Sequence, residues 1–332
     1  MKAILTTISS LCLFVCCSQE KDSNTNTIEV PSQQNIFLAD PTIFYSKNTY
    51  YLYGTTGVQN PKIPDGFTVY TSNDLQKWTG PAGSSNGAAL KKGDAFGDKG
   101  FWAPQIFEYQ NMFYMFYTAN EHIAFATSKS PIGPFTNSQK TELKSDVKQI
   151  DPFVFFDDNG KKYLYHVRLE NGNRIFVAEL NDDLASTKPE TLIECISATS
   201  GWEDTQNVPW KVAEGPTVIK HKGIYYLFYS ANDFRNPDYA VGYATSSSPL
   251  GPWTKSTQNP IIDKTKLGYN GTGHGDIFAD NEGQLYYVLH THLLNNEVSP
   301  RKSAVIKINF KAKEGMNDEI EIEPQSFHFL KL

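Results

Sequence analysis

Three acidic residues recur in one local setting along this chain: Asp40 in Ala39-Asp40-Pro41, Asp151 in Ile150-Asp151-Pro152 and Glu214 in Glu214-Gly215-Pro216. Trp102-Ala103-Pro104 and His274-Gly275-Asp276 occupy the corresponding places in two further segments. A lone Asp before Pro is a common turn residue and means little. Three carboxylates at matching points of a repeated element mean more, because crowded like charges cost stability unless the crowding serves a reaction. The chemistry that suits them is glycoside hydrolysis. It needs one carboxylate as base or nucleophile and one carboxylic acid of raised pKa to protonate the leaving oxygen. A third carboxylate nearby would raise the pKa of the acid by repulsion, and from the residues alone any of the three could carry the proton.

The element that must position these groups is a hairpin used five times. Thr42-Ile43-Phe44, Gln105-Ile106-Phe107, Phe153-Val154-Phe155, Thr217-Val218-Ile219 and Asp276-Ile277-Phe278 each precede an aromatic strand. Those strands begin at Tyr50, Phe113, Tyr163, Tyr225 and Tyr286, 7 or 9 residues after the central Ile or Val. Short apolar strands around turn residues read as hairpins. A third strand follows in most copies, at Phe67-Thr68-Val69-Tyr70, Ile123-Ala124-Phe125-Ala126 and Ala240-Val241-Gly242-Tyr243. The last two lead alike into Thr-Ser and then Gly-Pro-aromatic. No long apolar pattern at helical spacing accompanies them. Five strand-rich repeats of about 48 to 64 residues predict an all-β, five-bladed β-propeller. A β-sandwich or parallel β-helix predicts neither this repeat length nor five copies. The first strand of each propeller blade lines the central channel, so the three acids and His274 are expected to converge on one axis.

Composition narrows the partners. The 332 residues carry 36 acidic and 30 basic side chains, a net charge of −6, and no basic cluster, which argues against a nucleic-acid partner. Tyr and Phe, 18 and 21 of them, supply strand formers and flat faces on which sugar rings pack. Lys2 and the apolar run Ala3 to Val15 read as an export signal over 1–17, too short to span a bilayer. Cys16 and Cys17 follow it, and Cys17 is expected to be a lipoprotein-type anchor. Ordinary cleavage with free secretion is the alternative. Residues 18–33 are polar and read as a flexible tether before a propeller over 34–332. Export to the periplasm or cell surface, with membrane contact only through the lipid, is the expectation. Of four Cys only Cys195 lies in the folded part, which rules out an internal disulfide and a cysteine zinc site.

Ala39-Asp40-Pro41-Thr42-Ile43, Phe101-Trp102-Ala103-Pro104-Gln105, Ile150-Asp151-Pro152, Ala213-Glu214-Gly215-Pro216 and Gly273-His274-Gly275, taken together, resemble glycoside hydrolase family 43. The resemblance spans the chain after the leader, in the family's order. It implies a five-bladed inverting hydrolase of α-L-arabinofuranosides or β-D-xylosides. Asp40 then resembles the general base, Glu214 the general acid and Asp151 the residue that tunes and orients that acid. Trp102 resembles an aromatic at the sugar site, with a packing Trp under the second blade as its alternative. Arg301 resembles a substrate-contacting Arg, or is a surface Arg. His274 resembles an axial His that helps to hold calcium, although calcium prefers oxygen ligands and no second protein ligand stands out. A hydrogen-bonded core His is the other reading. No β-sandwich is expected after the fifth blade, unlike in two-domain xylosidases of the family. That turns the expectation toward an α-L-arabinofuranosidase, with β-D-xylosidase or endo-arabinanase next, acting as a monomer on arabinose- or xylose-containing glycans. A non-catalytic glycan-binding propeller predicts a missing acid, and none is missing. A protein-interaction propeller would explain the repeats but not the three acids.

Overall fold

The structure, a computed structural model, describes residues 34–56, 62–199 and 201–332. The expected leader over 1–17, its Cys17 and the tether over 18–33 lie outside the described residues. Among those described, no helix is long and apolar enough to cross a membrane.

Five antiparallel sheets follow one another along the chain, as the repeats predict. Blade one comprises Leu38–Ser46, Thr49–Thr56 and Tyr70–Ser72, and blade two Trp102–Tyr109, Met112–Ala119 and His122–Ser128. Blade three runs through Gln149–Phe156, Lys162–Leu169, Asn173–Leu180 and Ile193–Ile196, and blade four through Ala213–His221, Ile224–Ala231, Ala240–Ser246 and Thr254–Lys255. Blade five comprises Gly273–Ala279, Leu285–Thr291, Lys302–Lys311 and Glu319–Phe329. Local chemistry explains the hairpins. Lys47-Asn48, Gln110-Asn111, Asn120-Glu121 and Lys222-Gly223 all take positive φ at both residues, the two-residue turn whose twist matches paired strands.

Each blade is apolar on both faces, so the core lies between blades. One buried cluster fills each of the five interfaces, for example Tyr53, Phe67, Met115 and Tyr117 between blades one and two. The ring closes where the first residues meet the last. Ile36 donates its N–H to the Leu330 carbonyl, Leu332 donates to Gln34, and Ser303 donates to Ile36. Blade one departs from expectation in its third strand. Phe67-Thr68-Val69-Tyr70 breaks at Val69: Gly66–Thr68 pairs with Ala88–Lys91, and Tyr70–Ser72 stays in the blade. Gly66 permits the switch, since a Cβ there would lie 2.0 Å from the Leu90 carbonyl oxygen.

The feature that positions the site is a bulge repeated in all five innermost strands. Ala39 pairs with Thr55, Trp102 with Thr118, Ile150 with Val167, Glu214 with Ser230 and Gly273 with His290. Pairing resumes at Thr42, Gln105, Phe153, Thr217 and Asp276, so in every blade two residues oppose one. The first bulged residue is left-handed: Asp40, Ala103, Asp151, Gly215 and His274 have φ of 47°, 44°, 56°, 59° and 41°. Outside Gly such a conformation costs about 1–3 kcal/mol and persists only where the surroundings hold it.

The preceding blade does the holding. The N–H of Asp40 donates to His290 Nδ1 at 3.1 Å, that of Ala103 to Thr55 Oγ1 at 3.0 Å, that of Asp151 to Thr118 Oγ1 at 3.0 Å and that of His274 to Ser230 Oγ at 2.8 Å. In blade three the corresponding residue is Val167, which cannot accept. Asp151 itself therefore takes the Gly215 N–H, on Oδ2 at 3.2 Å. If these bonds hold the bulges, Thr118→Val should leave a buried amide unpaired and lower folding stability by about 1–3 kcal/mol in denaturant titration. Unchanged stability would mean that the bulge does not depend on its neighbour.

Candidate active site

The bulges sort the site residues into two levels, which corrects one detail of the sequence reading. Asp40 and Asp151 share the left-handed position with His274, not with Glu214. The matching triplet in blade five is Gly273-His274-Gly275, one residue earlier than expected. All five left-handed residues line a small axial channel of about 30 Å³. In blades two, three and four the residue before the bulge points elsewhere: Trp102, Ile150 and Glu214 line a larger pocket of about 520 Å³, shared with Asp40, Asp151 and His274. The sequence could have shown the offset, because it is Gly215, not Glu214, that precedes the Pro in blade four.

Asp40 is buried and surrounded by donors. Thr55 Oγ1 donates to its Oδ2 at 2.6 Å, and Arg301 Nη1 donates to its Oδ1 at 3.0 Å. His274 and His290 each bring Nδ1 to 3.4 Å from the same Oδ1, the His290 nitrogen as the acceptor of the Asp40 N–H and not as a donor. Burial alone would raise this carboxyl. Arg301 foremost, with the two histidines and Thr55, instead holds it well below the usual carboxylate range. Burial pushes both histidines below their usual value as well, so Arg301 supplies the lasting positive charge.

Among the described residues no cation pairs with Glu214. It accepts from the Tyr239 hydroxyl on Oε1 at 2.8 Å and from Asn173 Nδ2 on Oε2 at 2.9 Å. Burial outweighs these two donors, Asp40 and Asp233 add repulsion, and the acid is pushed up to about 7. Asp151 is raised too, by burial and then by Glu214 and Asp40. Its Oδ2 holds the Gly215 amide, the peptide directly after Glu214, and so fixes the backbone that carries the acid. One pocket thus contains a carboxylate that Arg301 holds ionised beside two, Glu214 and Asp151, whose protonated forms burial favours, the contrast that acid–base cleavage requires.

The remaining expected residues also reach this pocket. Trp102 lines it and is 37% exposed, which places it at the pocket wall, not under the blade. Arg301 lines it while its guanidinium carbon lies 4.5 Å over the Phe234 ring. His274 stands between the acids, with Nδ1 3.4 Å from Asp40 and 3.9 Å from Asp151. Among the described residues no three His, Cys, Asp or Glu side chains are grouped to hold a metal. Asp276, the other channel carboxylate, has its two oxygens taken by Thr42 and Thr217 at 2.7 Å each. Calcium takes six to eight oxygens, waters among them, so an ion helped by His274 would draw most of its ligands from water.

Sequence reasoning missed Thr55, His290, Tyr239, Asn173, Trp210 and Phe234. For Thr55 and His290 a signal existed, since they end second strands at the register of Thr118 and Ser230. Tyr239, Asn173, Trp210 and Phe234 come from outer strands and loops, where no repeat points to them.

Comparison with known proteins agrees with this geometry. Residues 34–315 match glycosyl hydrolases family 43. A solved structure described as an endo-1,4-β-xylanase from Bacteroides thetaiotaomicron is 40% identical, covers 90% of this chain and 98% of its own, and superposes with a TM-score of 0.80. An extracellular exo-α-(1→5)-L-arabinofuranosidase of Cellvibrio japonicus is 24% identical over 286 residues, covering 76% of this chain and 78% of that protein. A xylosidase/arabinosidase of Butyrivibrio fibrisolvens is 28% identical over 271 residues, 76% of this chain but only 49% of that protein, so the chain spans about half of that relative. With five bulged strands, Asp40, Asp151 and Glu214 in one pocket and this match over nearly the whole described chain, the protein belongs to glycoside hydrolase family 43 and is a hydrolase of O-glycosyl bonds.

Proposed function

We propose that this hydrolase inverts its substrate's anomeric configuration, with Asp40 as general base, Glu214 as general acid and Asp151 as the residue that orients and tunes the acid. The observation that carries the reading is the unequal company of two buried carboxyls in one pocket, Arg301 on Asp40 and the neutral donors Tyr239 and Asn173 on Glu214. Asp40 is held ionised by Arg301, and Glu214 is pushed up to about 7. Trp102 and Arg301 are assigned to the sugar, the first as a stacking face and the second as a donor that also keeps Asp40 charged.

The substrate we propose is a glycan bearing α-L-arabinofuranosyl residues. The Cellvibrio relative supports it by its arabinofuranosidase name, and the Butyrivibrio relative is named for both activities. The 40% identity to a protein described as a xylanase favours a second reading, β-D-xylosides. A panel of nitrophenyl glycosides separates them. Turnover of the α-L-arabinofuranoside at least tenfold above the β-D-xyloside is expected, and the reverse order would install the second reading.

Three further outcomes follow from the assigned roles. Asp40→Asn should cut turnover by several orders of magnitude on every substrate while leaving binding nearly intact, because general-base help of ~10²–10⁴ is only part of the loss. Near-normal turnover would move the site elsewhere. Glu214→Gln should nearly abolish cleavage of oligosaccharides yet partly retain that of dinitrophenyl glycosides, whose leaving group needs no proton. Equal losses would contradict the acid.

The pH profile is the third. Only protonated Glu214 is active, and its raised pKa extends that form upward, so kcat/KM should hold level through weakly acidic pH and fall as pH rises through about 7. Asp40, held below the usual range, should cost nothing until well under pH 4 (about 3.9 for an ordinary Asp). Asp233→Asn removes a charge that disfavours ionised Glu214 and should shift the basic limb to lower pH. A limb that stays put or moves upward would contradict this electrostatic origin.

A further inference from the structure

Trp210 is half exposed, an unusual state for so large an apolar side chain. It lines the large pocket, and its indole N–H is not left to water: Nε1 donates to Asn173 Oδ1 at 2.8 Å. Asn173 in turn donates from Nδ2 to Glu214 Oε2 at 2.9 Å. An indole N–H can only donate, so its partner on Asn173 has to be the carbonyl oxygen. That leaves the NH₂ end, and only that end, facing Glu214. Without Trp210 the amide could turn over and present its oxygen to the acid.

The backbone brings the two residues together firmly. Asn173 donates its N–H to the Lys211 carbonyl at 2.9 Å, and Asn173 and Val212 form a parallel bridge. Gly172 makes the approach possible, because a Cβ there would lie 2.7 Å from the Lys211 carbonyl oxygen. The segment before Trp210 is tied down by Asp204, which accepts the Val208 N–H at 3.0 Å and pairs with Lys211 Nζ at 3.0 Å. Trp210 is therefore a fixed part of the pocket wall, two hydrogen bonds from the acid.

A general acid faces the oxygen of the departing group, so the wall beside Glu214 is the wall beside that group. We propose that Trp210 is a positioning residue for Glu214 and the platform for the leaving-group side of the glycan. Its N–H sets the Asn173 amide, the amide sets the plane of the carboxyl together with Tyr239, and its exposed ring face packs against the sugar that departs. The inference deepens the proposed function and rests on Glu214 being the acid.

The test uses the whole protein and two variants, with Glu214→Gln run alongside. Trp210→Phe keeps a ring and removes the N–H; Trp210→Ala removes both. Trp210 is half exposed, so both should fold, and thermal denaturation checks that they do. For oligosaccharides, Trp210→Phe should leave KM within about twofold and lower kcat about tenfold, in line with the loss of one oriented donor from an acid. On the corresponding glycosyl fluoride, which departs without a proton, kcat should stay near wild type. The basic limb of kcat/KM should move to higher pH, because the Asn173 donor lowers the acid's pKa. Trp210→Ala should add a KM increase of roughly tenfold for oligosaccharides, the order of one lost stacking contact. Unchanged kcat and an unchanged limb in Trp210→Phe, with Glu214→Gln still sparing the fluoride, would overturn the role of Trp210 alone. Equal losses of Glu214→Gln on fluoride and oligosaccharide would overturn the acid itself, and the inference with it.

Discussion

The structure depends on a two-against-one bulge repeated in five innermost strands. A regular strand would send consecutive side chains to opposite faces of its blade and leave none aimed down the axis. The bulge spends two residues opposite one, turns the first into the left-handed region and aims it at the channel. Pro follows that residue in four of the five blades, which suits a position outside the ladder, since Pro has no N–H to give. Each bulge is held by a side chain from the blade before it, and His290 does this for Asp40 across the seam where the ring closes. The site is therefore assembled by the closed ring and not by any one blade.

The same device accounts for the chemistry. Bulge residues aim at the axis, and in blades two to four the residues before them line the large pocket, so Asp40 and Glu214 enter one pocket from different levels and meet different neighbours. Arg301 reaches Asp40, while among the described residues the donors to Glu214 are neutral, Tyr239 and Asn173. Buried carboxyls with unequal partners titrate far apart, and the separation creates a base and an acid from two otherwise similar groups. Asp151 shows how structure and reaction share a residue. It fills the acceptor slot that Val167 leaves vacant, and by holding the Gly215 amide it fixes the peptide next to the acid.

Much of this was legible in the sequence, for a physical reason. Hairpins are local, so their turn residues and apolar strands recur visibly five times, and the Pro-marked bulges label the three carboxylates with them. The register of Glu214 was misread because a triplet does not say which of its residues takes the positive φ. Gly215, the residue best suited to that conformation, was the available clue. Trp210, Asn173 and Tyr239 stayed hidden because loops and outer strands bring them in through tertiary contacts that leave no period. The broken third strand of blade one likewise depends on Gly66 meeting Leu90, a contact between segments and not a property of either.

The central claim is that Asp40 activates water while Glu214 releases the leaving group, so that water attacks from the face opposite the departing oxygen. Proton NMR of the reaction as it starts, before the free sugar mutarotates, tests it most directly. The account predicts that the first-formed sugar has the anomeric configuration opposite to that of the substrate. A first-formed sugar of retained configuration would mean that a carboxylate attacks the sugar itself, and would contradict Asp40 as the base.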